Sequence, residues 1–300
     1  MKMKLYTLKT RSGLHCGIGQ GLSDIDLPTA KESVSGYPFV PGSSIKGVLR
    51  DQFRSDTEMF LAAFGRDAKE GDLDFASALS FGDARLICLP VRSYFGTFAY
   101  LTSPYSLSIL AEALLRADSS KEIPALPIYP AGTDTYRASV PEGSKLLSLN
   151  FNERVLLEDL DLLVDSASSE AAGKWSDTIA AMLFPADDEY ALQARTLFRQ
   201  RFMIADDDVM SFLCETALPV ATRIKIDQTS GVVANGALFM EEFVPPEAIF
   251  LGQLYADHGY GPYKHLSADD LFRFVCGKNI DCQIGGNATT GRGLVSINFC

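Results

Sequence analysis

Two aspartates, Asp24 and Asp26, stand two residues apart in the glycine- and serine-rich stretch "GLSDIDLP". In an extended chain they point the same way. Their carboxylates could then hold a hydrated magnesium or manganese ion shared with a substrate phosphate. One of them could instead take the proton of a ribose 2′-OH. Acids in such loops also serve as plain solvent-facing turn residues, and the spacing leaves both readings open. Upstream, His15 in "GLHCGIGQG" could position a reacting group. A lone histidine equally fits a hydrogen-bonded structural role.

A second cluster follows in "PGSSIKGVLRDQFR". Ser43 and Ser44 fall at an expected helix start, where unsatisfied N–H groups and the positive dipole end suit a phosphate. Lys46, Arg50 and Arg54 are spaced by four and form one basic stripe, away from the apolar face of Ile45, Val48, Leu49 and Phe53. A capped amphipathic helix with a solvated basic face has the same pattern. A third cluster is "IGGNATTGRG" near the C-terminus, where glycines let backbone approach a ligand and Arg292 could meet a phosphate oxygen. It lacks the spacing of a P-loop, and a strand follows it where a dinucleotide site needs a helix. A plain β-turn fits it as well.

The elements that must position these clusters read as short strands and helices in mixed order, an α+β pattern. Residues 4–10 predict a strand, and a long loop to Gly42 precedes the helix that opens on the two serines. A second helical stretch covers Thr57 to Phe64. "ALSFGDARLICLPVRS" and "GTFAYLTS" read as strands, and Pro104 opens a helix to about Arg116. The middle, about 115–200, shows no clean sheet pattern and reads as inserted helical material. From about 219 to 245 the alternation of Arg223, Lys225 and Asp227 with Ile224 and Ile226 predicts a hairpin turning at Gln228 to Gly231. Ser267 and Asp270 form a capping box with Asp in place of Glu or Gln. No run of about 18 apolar residues exists to span a membrane. The six cysteines show no C-x-x-C pairing, which predicts reduced thiols in a cytoplasmic protein. The net charge of −11 argues against a general nucleic-acid binder, so any phosphate contacts must be local.

Taken together, "LHCGIGQG", "DIDLP", "KES", "GYPFVPGSSIKGVLR", "SFGDARLICLPVRSYFGTFAYLTSP", "TRIKID" with "GALFMEEFVP", and "IGGNATTGRGLV" resemble the RAMP superfamily. Within it, they resemble the family of fourth subunits of the Cmr effector complexes of type III-B CRISPR systems. The likeness runs through most of the chain, and the segment around "LPVRSYFGTFAYLTSP" is its most specific part. The resemblance implies one RAMP-type domain over 1–300. It would have an RRM-like (ferredoxin-like) palm, a β-hairpin thumb and a helical insertion. It implies a backbone subunit that binds CRISPR RNA and complementary target RNA, meets other Cmr-complex subunits and self-associates head-to-tail along the guide. A loop aspartate matching Asp26 would cut the target in a metal-dependent endoribonuclease reaction, with Asp24 as a further metal candidate. Ser43, Ser44, Lys46, Arg50, Arg223, Lys225 and Arg292 would contact RNA. The family often carries Ile-Gln-Arg-Glu after the aspartate. Here the residues are Thr29, Ala30, Lys31 and Glu32, and Lys31 keeps the charge without the planar fork. Two alternatives stay open: a non-catalytic scaffold of the same superfamily, and a CRISPR RNA maturation endoribonuclease.

Overall fold

The computed structural model runs over residues 1–300 and describes all of them except 18, 20–24, 56, 66–75, 131–134, 148–153 and 227–232. At 225–226 and 233–237 the backbone alone is described. The first strand, β1 (Lys2–Thr10), is buried from Leu5 onward on both faces. Tyr6 and Leu8 enter one core and Leu5 enters a second, on the other side of the sheet. A strand covered twice loses the polar alternation of a half-buried one.

The chain then runs through β2 (Phe39–Val40), α1 (Gly42–Gln52), α2 (Glu58–Phe64), β3 (Leu79–Phe81), β4 (Ala84–Arg92), β5 (Phe98–Thr102) and α3 (Pro104–Ala117). Next come β6 (Arg137–Ser139), β7 (Arg154–Leu157), β8 (Leu160–Val164), α4 (Ser169–Leu183), α5 (Glu189–Arg199), β9 (Phe202–Ala205) and α6 (Asp207–Thr216). It closes with β10 (Val220–Ile226), β11 (Val233–Glu242), β12 (Ile249–Ala256), α7 (Ala268–Cys276), β13 (Ile280–Gln283) and β14 (Leu294–Phe299). The large sheet is ordered β13-β14-β1-β12-β4-β5-β9-β6-β8-β7, with β2 on β4 and β3 on β12. Strands β10 and β11 form a separate antiparallel hairpin.

Around β1 every neighbour is antiparallel: β14 on one side, β12 on the other, then β4. Helix α1 follows β1 and the short β2, and α7 follows β12. They cover one face, burying Ile45 and Leu49, and Leu271, Phe272 and Val275. Helices α3 and α4 cover the other, around the fully buried Trp175. Ser267 and Asp270 make both bonds of the capping box, so a shorter Asp serves at that position. The hairpin expected near 219–245 is present, and its turn lies outside the described residues. The stretch from about 115 to 200, expected as helical, also carries β6, β7 and β8, which extend the main sheet. These strands are three to five residues long, too short to set up a period in the sequence. Among the described residues no helix is long and apolar enough to cross a membrane.

Candidate nucleic-acid interface

The base of the hairpin gathers three of the predicted clusters. Glu241 and Glu242 are adjacent on β11, so their side chains leave on opposite faces, and both are buried. A buried carboxylate needs partners, and each acid has found them in a different loop. Glu242 Oε2 accepts from the Thr29 N–H at 3.1 Å, and its Oε1 pairs with Lys31 Nζ at 2.7 Å. Its N–H donates to the Leu27 carbonyl at 3.0 Å, and its own carbonyl accepts from His15 Nδ1 at 2.7 Å. A carbonyl can only accept, so Nδ1 carries a proton. One residue therefore fastens four points of the loop that contains Asp26.

Asp26 sits one step further along this seam. Leu27 lies parallel to Glu241, and its N–H donates to the Met240 carbonyl at 3.0 Å. The Met240 N–H donates to Asp26 Oδ2 at 2.8 Å. The loop is thus laid along β11 like a short third strand, with an exposed carboxylate at its edge. Asp24 lies outside the described residues. The face of the hairpin that carries Met240 also carries Ile224 directly opposite Leu238, 52% and 64% exposed. Large apolar side chains left in water on a hairpin are available for contact with something flat and apolar.

Glu241 fastens the other side. Its Oε2 accepts from Arg223 Nε at 2.8 Å and its Oε1 accepts from Asn287 Nδ2 of the glycine loop. In that loop Gly285 has φ +85, and a Cβ there would stand 2.3 Å from the His15 carbonyl oxygen. Gly286 N–H donates to the same oxygen at 2.9 Å. The Arg292 guanidinium carbon sits over the Phe243 ring, 3.7 Å from its centre. Gly13 makes room for it, since a Cβ at that position would meet the guanidinium at 2.2 Å.

These placements revise several expectations. His15 is buried beneath the glycine loop and acts as a brace between two loops. Arg223 spends its Nε on Glu241 and is three-quarters covered, so it braces the hairpin base as well. The side chain of Lys225 is outside the described residues. Lys31 is held by Glu242.

Helix α1 begins at Gly42 with Pro41 as its cap, so Ser43 and Ser44 are its second and third residues and neither caps it. The Gly42 N–H donates to Asp83 Oδ1 at 2.8 Å. A carboxylate already answers the first N–H of this helix, which weakens the end as an anion site. Lys46 is half-buried, and burial and then the Arg50 guanidinium hold its ammonium below the usual lysine range. A phosphate beside the ammonium would favour its charged form and so oppose both effects. Arg50 is half-buried, while Arg54 is exposed and pairs with Asp51 at 3.0 Å. The residues that reading the sequence missed are Glu241, Glu242 and Asp83. The first two were legible as adjacent acids inside the apolar run "GALFMEEFV", a pattern that demands buried partners.

Among the described residues no group of three or more His, Cys, Asp or Glu side chains could cage a metal ion. The oxygens of Glu241 and Glu242 are already engaged. Asp26, exposed and with one oxygen on Met240, fits the other way magnesium is held: one carboxylate, several waters and the substrate's own phosphates.

The fold and this seam define the class. The RAMP superfamily model matches residues 7–296, and the chain belongs to the RAMP superfamily. It is 29% identical to the CRISPR system Cmr endoribonuclease Cmr4 of Pyrococcus furiosus, over 100% of this chain and 96% of that protein. It is 24% identical to the CRISPR system CMR subunit Cmr4 of Saccharolobus solfataricus, over 99% and 96%. The solved oligomeric Cmr4 from Pyrococcus furiosus superposes with a TM-score of 0.70 at 25% identity, covering 100% of this chain and 98% of that one. A chain of the type III-B Cmr-beta structure bound to cognate target RNA has the same fold, with a TM-score of 0.69 at 18% identity over 100% and 97%.

Proposed function

We propose that this chain is a backbone subunit of a type III-B CRISPR effector that binds CRISPR RNA and cuts complementary target RNA. The observation that carries the reading is the Asp26 loop, laid along β11 with its carboxylate exposed beside the apolar hairpin face. The 29%-identical relative, matched end to end, is named an endoribonuclease of the Cmr system. The strand order β14-β1-β12-β4, with α1 and α7 on one face, supports reading this part as a ferredoxin-like palm and the hairpin as a thumb. Residues 115–200 are then the insertion.

In this reading Ile224 and Leu238 press between stacked bases and splay one nucleotide. That turns the 2′-OH, the phosphorus and the leaving oxygen toward a line. Asp26 Oδ1 takes the 2′-OH proton, while Oδ2 stays on the Met240 N–H and fixes the carboxylate. The 2′-oxygen bonds to phosphorus as the bond to the 5′-oxygen breaks, and the leaving 5′-oxygen takes a proton from water. The product ends in a cyclic phosphate. A magnesium or manganese ion held by Asp26 and the RNA phosphates would neutralise charge at phosphorus. Lys46 and Arg292 hold guide phosphates, reading backbone and leaving sequence to base pairing. Copies of the chain stack head-to-tail along the guide beside other Cmr subunits, in the cytoplasm.

The test is reconstitution with guide RNA and the partner subunits. Complementary RNA should be cut at regular intervals, chelator should slow the cut, and non-complementary RNA should stay intact. Lys46→Ala with Arg292→Ala should weaken guide binding evenly across sequences and flatten its salt slope. Guide binding without any cut of matched target would leave a scaffold. Cleavage of a repeat hairpin by the chain alone would make it a maturation enzyme.

A further inference from the structure

A cleft at the C-terminal end of β1 opens between the sheet and the helices α4 and α5. Two connected cavities of about 220 and 240 Å³ share Lys9, Arg11, Phe184 and Tyr190 in their walls. Space of this order suits a small planar ligand with a polar tail. One wall is aromatic and aliphatic. Tyr190, Ala194 and Leu197 recur along one side of α5, with Tyr190 73% and Leu197 49% exposed, facing Phe98 and Phe184.

The polar side is built with more care than a surface groove requires. Glu247 has φ +75, a conformation that side-chain-bearing residues rarely adopt, and such strain persists where surrounding contacts impose it. Here they do. Its N–H donates to the Thr10 carbonyl at 2.8 Å, while Tyr100 OH donates to Oε2 at 2.6 Å and Lys9 Nζ pairs with Oε2 at 2.6 Å. Among the described residues both side-chain bonds fall on Oε2, so Oε1 is the acceptor left for a ligand. Arg11 donates from Nε to Ser296 Oγ at 2.9 Å, which among the described residues leaves the terminal nitrogens of the fork for a phosphate.

We propose that this cleft is a second RNA contact, binding one unpaired nucleobase that carries an exocyclic amine, with its 5′-phosphate on Arg11. The base stacks on Tyr190 against Phe184, as single-stranded nucleic acid stacks on exposed aromatics. The amine of adenine, guanine or cytosine donates to Glu247 Oε1. Uracil has no amine, and carbonyl oxygens flank its one N–H, so the carboxylate repels its edge. The proposal borrows its ligand class from the RNA-guided reading and uses none of the residues of the Asp26 seam.

The test is a chemical-shift titration of the whole chain with AMP, GMP, CMP and UMP, probes too small to need the guide groove. AMP, GMP and CMP should move the resonances of α5 and of Glu247, and UMP should bind at least about fivefold more weakly. Tyr190→Ala, a surface change, should weaken the three binders by about fivefold or more, the low end of base–aromatic stacking. Glu247→Gln should abolish the discrimination against UMP. Equal binding of all four nucleotides, or binding indifferent to Tyr190→Ala, overturns the proposal. So does concentration-dependent self-association that Tyr190→Ala abolishes without any nucleotide effect, which would assign the cleft to a second copy. The readout is mononucleotide binding by the chain alone and needs no target cleavage, so failure here is separable from failure of the nuclease reading.

Discussion

Replacing Glu242 with glutamine removes one charge and almost no volume, and it should loosen the Asp26 loop before it disturbs the fold. The wild-type carboxylate is 3% exposed and its partner Lys31 is 26% exposed. Hydrogen bonds to charged groups contribute about 1.5–3 kcal/mol each, and breaking a buried pair costs about 3–5 kcal/mol. Lys31 keeps partial access to water, which places the cost near the low end, about 3 kcal/mol. Glutamine can still accept from the Thr29 N–H, but its NH₂ then faces the Lys31 ammonium. At about 2 °C per kcal/mol for a larger domain, Tm should fall by about 6 °C.

Hydrogen exchange reads the local part. Thr29 is buried, and its amide should lose about a hundredfold in protection, since 1.36 kcal/mol is a factor of ten. Adding Lys31→Met to Glu242→Gln should recover at least about 1 kcal/mol through the shared contact. A Tm within 1 °C of wild type, together with unchanged exchange at Thr29, would refute the idea that Glu242 fastens the loop.

Three further outcomes are expected. Gly285→Ala, at φ +85 with its Cβ 2.3 Å from the His15 carbonyl oxygen, should cost more than Gly291→Ala, at φ +78 with open space around it; denaturant midpoints compare them. Ser267→Ala should destabilise by about 1 kcal/mol, the usual worth of a helix cap, as read by urea unfolding. Burial of Glu32 tends to raise its carboxyl, but the Arg85 and Ser35 bonds and the Arg85 charge outweigh it and hold Glu32 below the usual range. A depressed carboxyl contributes stability above its unfolded value, near ~4.3, and loses it as pH falls through the folded one. The deficit of Glu32→Gln in thermal melts should therefore be full at neutral pH and shrink through the acid range.

Local signals carried the outer frame of this molecule. Apolar residues at helical spacing announced α1, and a shortened capping box announced α7. Alternating residues announced the hairpin, because its strands are long enough to show a period. The sheet extension β6, β7 and β8 was hidden, since pairing between short, distant strands leaves no local trace. The candidate site was half legible. Asp26 and the glycine loop stood out by residue type, while the roles of His15 and Arg223 depended on Glu242 and Glu241, more than 200 residues and 18 residues away. Sequence spacing cannot show that a charge is already spent on a buried partner. For the same reason the helix start at Ser43 and Ser44 looked open to a phosphate, while the Asp83 carboxylate, from the turn before β4, already accepts from its first N–H.

The most direct test of the central claim is target cleavage by the reconstituted effector carrying Asp26→Asn. Asparagine keeps an oxygen for the Met240 N–H, so the loop should stay on β11 and guide and target should bind as in wild type. Cleavage should be lost at every site, with binding preserved. Cleavage at the wild-type rate would contradict the claim and leave Asp26 a residue of the loop alone.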